Sequence, residues 1–585
     1  MINGYSDEQN VQILVALMKH HHVQRVIASP GTTNISFLVS LQNDPYFTIY
    51  SAADERSAAY MACGIAAETG APVALTCTGA TASRNYMPGL TEAYYRKLPV
   101  LAVTSSQHLG RAGSMSPQML DRTAEPHDIC KFSVQCPTVY SKEDRWACET
   151  LLNRALLELT HAGGGPVHVN LVTTYSSNFT TKELPAVQYL DRIDVGDPLP
   201  DLSGKRVAVY VGAHIRWSEE LTDSVNRFCA AYNAIVIGDH TSNYKGEYWV
   251  DSSLILKQEN YFPSCRMVDV MIHVGEISGA YANPSAKEVW RVSLDGEPRD
   301  AFKKLRYIFN MEEEVFFNRY AARIEGEKGH DMTHNNTLLH EWKDEDLKLR
   351  SKIPELPFSN IWCAQHTSPE LPPNSVLHLG ILNSLRSWNF FPLDESIRCY
   401  ANTGGFGIDG CISSLIGASL VSPDKLCFGV LGDLACFYDL NSLGNHNILP
   451  NMRIMVINNG VGTEFKNYNN NAAALGDAAD AYIAARGHYG NKSHQLLKHY
   501  SQDLGFEYMS ADNKKEFLEF LSRFTTVEQT DRPMLFEIFT DSQNESDALR
   551  MISTLETNVA GVAKGAVKGL LGERGVNTIK RILGR

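Results

Sequence analysis

The sequence predicts an α/β protein with three doubly wound parallel-sheet domains. Apolar runs of strand length alternate with helix-length amphipathic segments along most of the chain. A chain of 585 residues is also too long for one hydrophobic core. Several predicted strands end in turns rich in Gly, Ser, Thr and Asn. Such turns lie at the carboxyl edge of a parallel sheet, where these folds bind ligands.

The composition is typical of a globular enzyme, with 44% hydrophobic and 20% charged residues. A net charge of −13 argues against a general nucleic-acid binder. The 12 cysteines include no Cys-x-x-Cys pair, so neither a zinc site nor a disulfide framework is expected. The sequence has no signal-peptide pattern and no run of about 18 apolar residues, so a cytoplasmic protein is expected.

The first predicted domain spans residues 1–185. Strand and helix patterns alternate here, and two turns should face one cleft: 29–34 and 78–85. Thr32, Thr33 and Arg84 in these turns are candidate substrate contacts, although turns also need such residues for conformational reasons.

The second predicted domain, residues 186–355, is Rossmann-like and ends in a charged helical connector. No Gly-x-Gly-x-x-Gly motif follows its first strand, because Ala-His-Ile-Arg comes after Gly212. A structural or oligomer-building role is therefore expected.

The third predicted domain, residues 356–545, contains a βαβ unit whose two strands end at Asp433 and at Asn458-Asn459. Both ends should meet at the carboxyl edge of the sheet. A carboxylate, an amide oxygen and a nearby backbone carbonyl suit Mg²⁺, which takes part of its coordination shell from phosphates. This pattern predicts a magnesium–diphosphate anchor. An ordinary doubly wound domain is the alternative, since Asp and Asn are common at strand ends.

The last predicted segment, residues 546–585, is a basic, amphipathic and glycine-rich tail. Such a tail could lie on an anionic membrane surface or contact a partner protein. A frayed or subunit-packing terminus is the alternative.

The Gly-Asp pair at 432–433 and the Asn pair at 458–459 resemble the signature of thiamine-diphosphate (ThDP) enzymes, although Leu434 replaces the commoner Gly. The likeness covers about residues 1–545 and implies the three-domain ThDP-binding fold: pyrimidine-binding, central and diphosphate-binding domains. It implies that Asp433, Asn459 and the carbonyl of Val461 hold Mg²⁺. It also implies these cofactor contacts: Glu55, Gly405, Phe406, Ile408, Gly432, Asp433, Leu434, Asn459, Val461, Gly462 and Thr463.

Glu55 begins a Glu-x-x-Ala-Ala-x-Met-Ala-x-Gly pattern, which resembles the helix start that carries the cofactor-activating glutamate of this family. In that role the carboxyl group hydrogen-bonds the aminopyrimidine and promotes formation of the cofactor's carbon nucleophile. The resemblance places Gln118 near the reacting carbon. The alternative for Glu55 is a solvated residue favoured by the helix dipole.

Within the ThDP-dependent 2-oxoacid decarboxylases and acetolactate synthases, the motifs Asn383-Ser384-Leu385 and Gly407–Gly410 look closest to the menaquinone-pathway succinyl-enolpyruvyl-hydroxycyclohexene-carboxylate synthases. Those enzymes carry substrate-binding arginines where this chain has Thr32-Thr33, a shifted Arg386 and Thr403. Threonine cannot replace the carboxylate recognition of an arginine fork, which argues against the menaquinone reaction.

The site residues expected on these grounds fall into two groups. The candidate catalytic residues are Glu55, Gln118 and Glu464. The candidate substrate contacts are Thr32, Thr33, Arg84, Ser384 and Arg386.

The expected activity is decarboxylation of a 2-oxoacid donor and transfer of the resulting acyl carbanion to a second carbonyl, an aldehyde or ketone, as in an acetolactate synthase-like carboligase. A decarboxylase that releases an aldehyde, and a ThDP-fold scaffold or binding protein without activity, are the alternatives. The resemblance implies a homodimer or homotetramer, with Glu55 and Asp433 of one site supplied by different chains.

Overall fold

The structure is a computed structural model that describes residues 4–214, 217–280, 284–328, 336–487 and 493–559. In chain order the strands of this part are β1 (Arg25–Ala28), β2 (Thr48–Ser51), β3 (Val73–Thr78), β4 (Val100–Ser106), β5 (Phe132–Cys136), β6 (Val167–Val172), β7 (Asp191–Asp194), β8 (Val207–Val211), β9 (Ile235–Gly238), β10 (Trp249–Val250), β11 (Met267–Val274), β12 (Ser285–Ser293), β13 (Leu305–Asn310), β14 (Val376–Leu379), β15 (Arg398–Tyr400), β16 (Cys427–Gly432), β17 (Met452–Asn458), β18 (Glu507–Ala511) and β19 (Met534–Phe539). The α-helices are α1 (Gln9–His20), α2 (Ile35–Gln42), α3 (Glu55–Thr69), α4 (Thr81–Asn85), α5 (Met87–Tyr95), α6 (Lys142–Glu158), α7 (Glu219–Tyr232), α8 (Ser253–Lys257), α9 (Glu313–Lys328), α10 (Thr337–Arg350), α11 (Asn360–Thr367), α12 (Asn383–Trp388), α13 (Cys411–Leu420), α14 (Asp433–Tyr438), α15 (Leu496–Asp503), α16 (Lys514–Phe524) and α17 (Ser542–Ser553).

The α/β fold class predicted from the sequence is confirmed, because the strands pair in parallel within three sheets and helices alternate with them. The chain divides into two compact units, residues 1–194 with 296–310, and residues 195–295 with 311–585. The predicted boundaries at 185, 355 and 545 stay predictions.

The first unit contains a six-stranded sheet in the order β2-β1-β3-β4-β6-β5. Successive residues of its central strands belong to different hydrophobic clusters, one on each face of the sheet. Val26 and Leu101 pack with α1, α2 and α6, whereas Ile27 and Ala102 pack with α3 and α5. This alternation follows from the two-residue period of a strand, and it covers both faces of the sheet with helices. The parallel pair of β7 and β13 also belongs to this unit.

Helix α3 carries Glu55 at its first position. Asp54 caps it by accepting hydrogen bonds from the backbone N–H groups of Arg56 and Ser57. A Cβ on Gly89 of α5 would lie only 2.4 Å from the Cβ of Ala59, so small residues are required where the two helices meet. The small-residue pattern after Glu55 thus has a packing role.

The second unit contains strands of two sheets. Five strands run in the order β10-β9-β8-β11-β12, and a separate six-stranded sheet runs β15-β14-β16-β17-β19-β18. The apolar residues of β16 and β17 are buried beneath α13 and α14. Because the strands are parallel, all of their carboxyl ends lie at one edge. Gly432 of β16 pairs with Ile457 of β17 there, one or two residues before Asp433 and Asn459.

Among the described residues, no helix is long and apolar enough to cross a membrane. Most of the predicted basic tail, residues 560–585, lies outside the described residues.

Candidate active site

The βαβ unit of the third sheet brings Asp433 and Asn459 to one cavity of about 120 Å³. Asp433 is the first residue of α14, directly after β16, and Asn459 follows the last residue of β17. Val461, whose backbone carbonyl is the third candidate ligand, lines the same cavity. The three candidate metal ligands therefore line one cavity, as expected for residues at the carboxyl ends of neighbouring parallel strands.

The carboxylate of Asp433 is fixed by backbone hydrogen bonds and is only 3% exposed. Its Oδ1 accepts from the N–H of Leu434 at 2.8 Å, and its Oδ2 accepts from the N–H of Gly460 at 2.8 Å. Burial raises the pKa of Asp433 to about 6. A cation at this position would oppose that effect and favour the charged carboxylate.

The amide of Asn459 provides the second donor. Its Oδ1 is buried and has no hydrogen-bond partner within the described residues. The carbonyl oxygen of Val461 accepts from the Oγ1 of Thr463 at 3.3 Å and keeps a second lone pair. A carboxylate, an amide oxygen and a backbone carbonyl form a hard oxygen donor set, so these residues fit Mg²⁺.

Across the described part of the chain, no three His, Cys, Asp or Glu side chains converge in a group that could hold a metal ion. The donor set at Asp433 is of another kind, since two of its three oxygens come from an amide and a carbonyl. Such a set depends on a diphosphate for the rest of the coordination shell.

Glu537 supports the end of β17 and was not predicted from the sequence. Its Oε1 accepts from the Nδ2 of Asn458 at 2.7 Å, and its Oε2 accepts from the hydroxyl of Tyr508 at 2.7 Å. The residue is 1% exposed, and burial raises the pKa of its carboxyl group. A charged residue inside the apolar strand Met534–Phe539 was the sequence signal for it.

Most of the predicted cofactor contacts of the third domain line this cavity. They are Ile408, Gly432, Asp433, Leu434, Asn459, Val461, Gly462 and Thr463. Gly405 and Phe406 lie on the same loop as Ile408 but are not among the lining residues. Phe406 has a φ of 55°, an uncommon left-handed conformation for a non-glycine residue.

Two predicted substrate contacts lie on α12, which follows β14. Ser384 lines the cavity and accepts a hydrogen bond from the Nδ2 of Asn360 at 3.2 Å. Arg386 forms an ion pair with Glu464, with 2.6 Å between Nη1 and Oε1. The predicted substrate contact and the predicted catalytic glutamate are therefore direct partners.

The loop of residues 462–486 borders the cavity. It returns on itself, because the N–H of Gly462 donates to the carbonyl of Ala484 at 2.6 Å. Asp480 accepts from Lys466 at 2.7 Å and from Arg486 at 2.8 Å. Apolar side chains in this loop are exposed within the single chain, and Tyr482 is 96% exposed.

The remaining predicted residues belong to the first unit. Glu55 is half-buried, and its Oε2 accepts from the Nδ2 of Asn85 at 3.3 Å. Arg84, beside Asn85 on α4, is exposed. The start of α3 is therefore in contact with the turn at 78–85. That the turns at 29–34 and 78–85 face one cleft stays a prediction.

The turn at 29–34 and the segment around Gln118 differ in their contacts. Thr33 donates from Oγ1 to the carbonyl of Ser105 at 2.6 Å, whereas Thr32 is exposed. Gln118 is also exposed and has a φ of 60°. No contact joins Gln118 to Glu55 among the hydrogen bonds of the described residues. The role of Gln118 stays a prediction.

Comparison with known proteins gives consistent matches. Residues 9–125 match the family "Thiamine pyrophosphate enzyme, N-terminal TPP binding domain". The chain is 29% identical to the 2-succinyl-5-enolpyruvyl-6-hydroxy-3-cyclohexene-1-carboxylate synthase of Phocaeicola vulgatus, over 93% of this chain and 98% of the relative.

Two further relatives have the same name. The enzyme of Bacteroides fragilis is 29% identical over 93% of this chain and 98% of its own length. The enzyme of Flavobacterium psychrophilum is 24% identical over 91% of this chain and 96% of its own length. The similarity therefore extends over both compact units of the chain.

Proposed function

Because this chain is a thiamine-diphosphate-dependent enzyme, we propose that it requires Mg²⁺, decarboxylates a 2-oxoacid and transfers the remaining acyl group to a second substrate, a carbonyl compound. The observation that carries the proposal is the set of oxygen donors from Asp433, Asn459 and Val461 in one cavity. Membership of this enzyme class decides against the alternative of a scaffold protein.

Bound ThDP would supply a carbon nucleophile that attacks the 2-oxoacid carbonyl and accepts electrons as CO₂ leaves. The chain's own residues would do the rest. Asp433, Asn459 and the carbonyl of Val461 would hold Mg²⁺ against the diphosphate. Glu55 would hold a proton at its carboxyl group beside the aminopyrimidine. Ile408, which lines the cavity, would hold the cofactor through apolar contact.

A joining reaction is favoured over simple decarboxylation because the relatives are named as synthases. A substrate different from theirs is favoured by Thr403, which is 5% exposed in the loop before Ile408. The resemblance places a substrate-binding arginine there, and threonine does not offer its bidentate contact. Release of an aldehyde is the second outcome to be tested.

A complete site would need two copies of the chain in this proposal, as the resemblance implies, with Glu55 from one copy and Asp433 from the other. The expected assembly is a homodimer or homotetramer. Light scattering with and without ThDP and Mg²⁺ measures it, and a fully active monomer would contradict the proposal.

The test of the reaction is incubation with ThDP, Mg²⁺ and a panel of 2-oxoacids, each with and without aldehyde or ketone acceptors. CO₂ release and the product mass distinguish transfer from aldehyde release. No CO₂ from any 2-oxoacid would contradict the proposed function.

Glu55→Gln should keep ThDP binding but lower turnover, by on the order of 10²- to 10⁴-fold for loss of proton transfer. The matched control is Glu68→Gln, an exposed glutamate of the same helix α3. CO₂ release at the wild-type rate by Glu55→Gln would show that Glu55 is not the activating residue.

A further inference from the structure

A second cavity adjoins the one that holds Asp433. It has a volume of about 90 Å³, and Asn383, Glu464 and Glu545 line both cavities. A water molecule occupies about 30 Å³ in the liquid, so the second cavity accommodates a small group rather than a whole substrate. Its other walls include Lys257, Arg386 and Asn467.

Lys257 is the last residue of α8, in the Rossmann-like part of the chain. Its side chain is half-buried and faces this cavity. Within the ranges that the structure describes, no hydrogen bond or ion pair involves its ammonium group. Burial lowers the pKa of Lys257, and the positive charge of Arg386 lowers it further.

The three carboxyl groups that line this cavity, those of Glu259, Glu464 and Glu545, already have hydrogen-bond or ion-pair partners. Glu464 pairs with Arg386 at 2.6 Å. With its amide oriented to satisfy its neighbours, Asn383 donates to the Oε2 of Glu464 at 2.9 Å. Glu259 is exposed and accepts from the hydroxyl of Tyr468 at 2.6 Å. The charge of Lys257 is therefore less well compensated than that of Arg386.

We propose that Lys257, together with Arg386, binds a carboxylate group of the substrate in this second cavity and so determines specificity. A carboxylate there would compensate the charge of Lys257 and could accept hydrogen bonds from the amide of Asn467. The cavity shares three residues with the cofactor cavity, so a substrate that reacts in one can place a substituent in the other. The inference rests on the proposed function and adds Lys257 as the residue that recognises the carboxylate of the substrate.

This assignment explains how the chain can lack arginines at Thr32-Thr33 and Thr403 and still recognise an anion. Lys257 would supply the positive charge that the missing arginines do not, and it lies more than 100 residues before Arg386 in the sequence. The bidentate arginine contact would be replaced by a point charge on a flexible side chain.

The first test is calorimetric titration of the enzyme, saturated with ThDP and Mg²⁺, with succinate and with inorganic phosphate. The variants are Lys257→Met and Lys257→Arg. Succinate should bind the wild type, at least 10-fold more weakly to Lys257→Met, and with intermediate affinity to Lys257→Arg. The matched control is Lys245→Met, a lysine whose pKa is also lowered by burial but which lines another cavity.

The second test is kinetic, with the substrates that the panel identifies. Lys257→Met should raise KM at least 10-fold for the carboxylate-bearing substrate, leave kcat nearly unchanged, and weaken the dependence of KM on salt, since Arg386 remains. A fall in kcat alone would overturn the specificity role, as would equal succinate affinity in wild type and Lys257→Met. Stronger binding of phosphate than of succinate would overturn the carboxylate assignment. The titration measures succinate binding even if no 2-oxoacid releases CO₂. Failure of the proposed reaction can therefore be distinguished from failure of the proposed carboxylate site.

Discussion

The carboxyl group of Glu545 lies buried on α17, and its replacement by glutamine should flatten the pH dependence of stability. Its Oε1 accepts from the N–H of Asn360 at 3.0 Å and from the Oγ1 of Thr540 at 2.7 Å. The residue is 6% exposed, and burial raises its pKa from 4.5 to about 7. A glutamine whose oxygen replaces Oε1 keeps these two hydrogen bonds, loses the contact that Oε2 accepts from the same N–H at 3.1 Å, and cannot ionise.

The direction of the pH dependence of stability follows from the difference between the folded-state and unfolded-state pKa values of Glu545. The pKa of Glu545 is higher in the folded state than in the unfolded state, so its favourable contribution is complete below pH 4.5 and is lost as the pH rises through about 7. A shift of about 2.5 units corresponds to roughly 3.4 kcal/mol, of which about 2.5 kcal/mol is lost between pH 5 and pH 8. If the whole chain unfolds together, the unfolding entropy is about 1.2 kcal/mol/K, so the melting temperature shifts by about 2 °C.

The assay is thermal unfolding of wild type and Glu545→Gln at half-unit steps from pH 5 to pH 8. The difference in melting temperature between the two proteins should change by about 2 °C in favour of the variant as the pH rises. Glu519→Gln, at an exposed position, is the control and should give a parallel profile. Parallel curves for wild type and Glu545→Gln would refute the burial argument.

Two further predictions concern the metal ligands and the backbone. Asp433→Asn removes the negative charge and one carboxylate oxygen, and Asn459→Ala removes the amide oxygen. Each should therefore raise the Mg²⁺ concentration needed for ThDP binding by about 10-fold or more. Calorimetric Mg²⁺ titration measures this, with the exposed Asn445→Ala as control, and unchanged Mg²⁺ dependence would contradict the donor set. Gly212→Ala should destabilise the protein by about 1–3 kcal/mol or more, since its Cβ would lie 1.8 Å from the carbonyl oxygen of Glu276. Gly417→Ala in α13 meets no atom within 4 Å and should stabilise by about 0.5–1 kcal/mol. Urea unfolding compares the two alanine variants, and equal effects would show that the close contact at Gly212 relaxes freely.

The parts of the site that the sequence predicted are local. Asp433 and Asn459 each follow an apolar strand directly, and parallel pairing brings strand ends together without further information. The role of Glu55 stays a prediction, and it rests on a contiguous pattern in the sequence. Glu464 and Arg386 were predicted separately, and only the structure shows that they form an ion pair.

The parts that the sequence did not predict depend on distant contacts. Glu537 supports Asn458 from 79 residues away. Lys257 lines the adjoining cavity from the Rossmann-like part of the chain, where the sequence led us to expect a structural or oligomer-building role. Sequence periodicity and motif spacing do not predict contacts between residues so far apart in the chain, because these contacts depend on tertiary packing.

The loop of residues 462–486 is held by the backbone hydrogen bond between Gly462 and Ala484 and by charged side chains around Asp480. Coulomb attraction between partly exposed groups weakens in concentrated salt, whereas burial of apolar surface does not. Ionic strength should consequently weaken the contacts of this loop before it affects the stability of the sheet beneath it. Moderate sodium chloride would then slow turnover while the melting temperature stays constant.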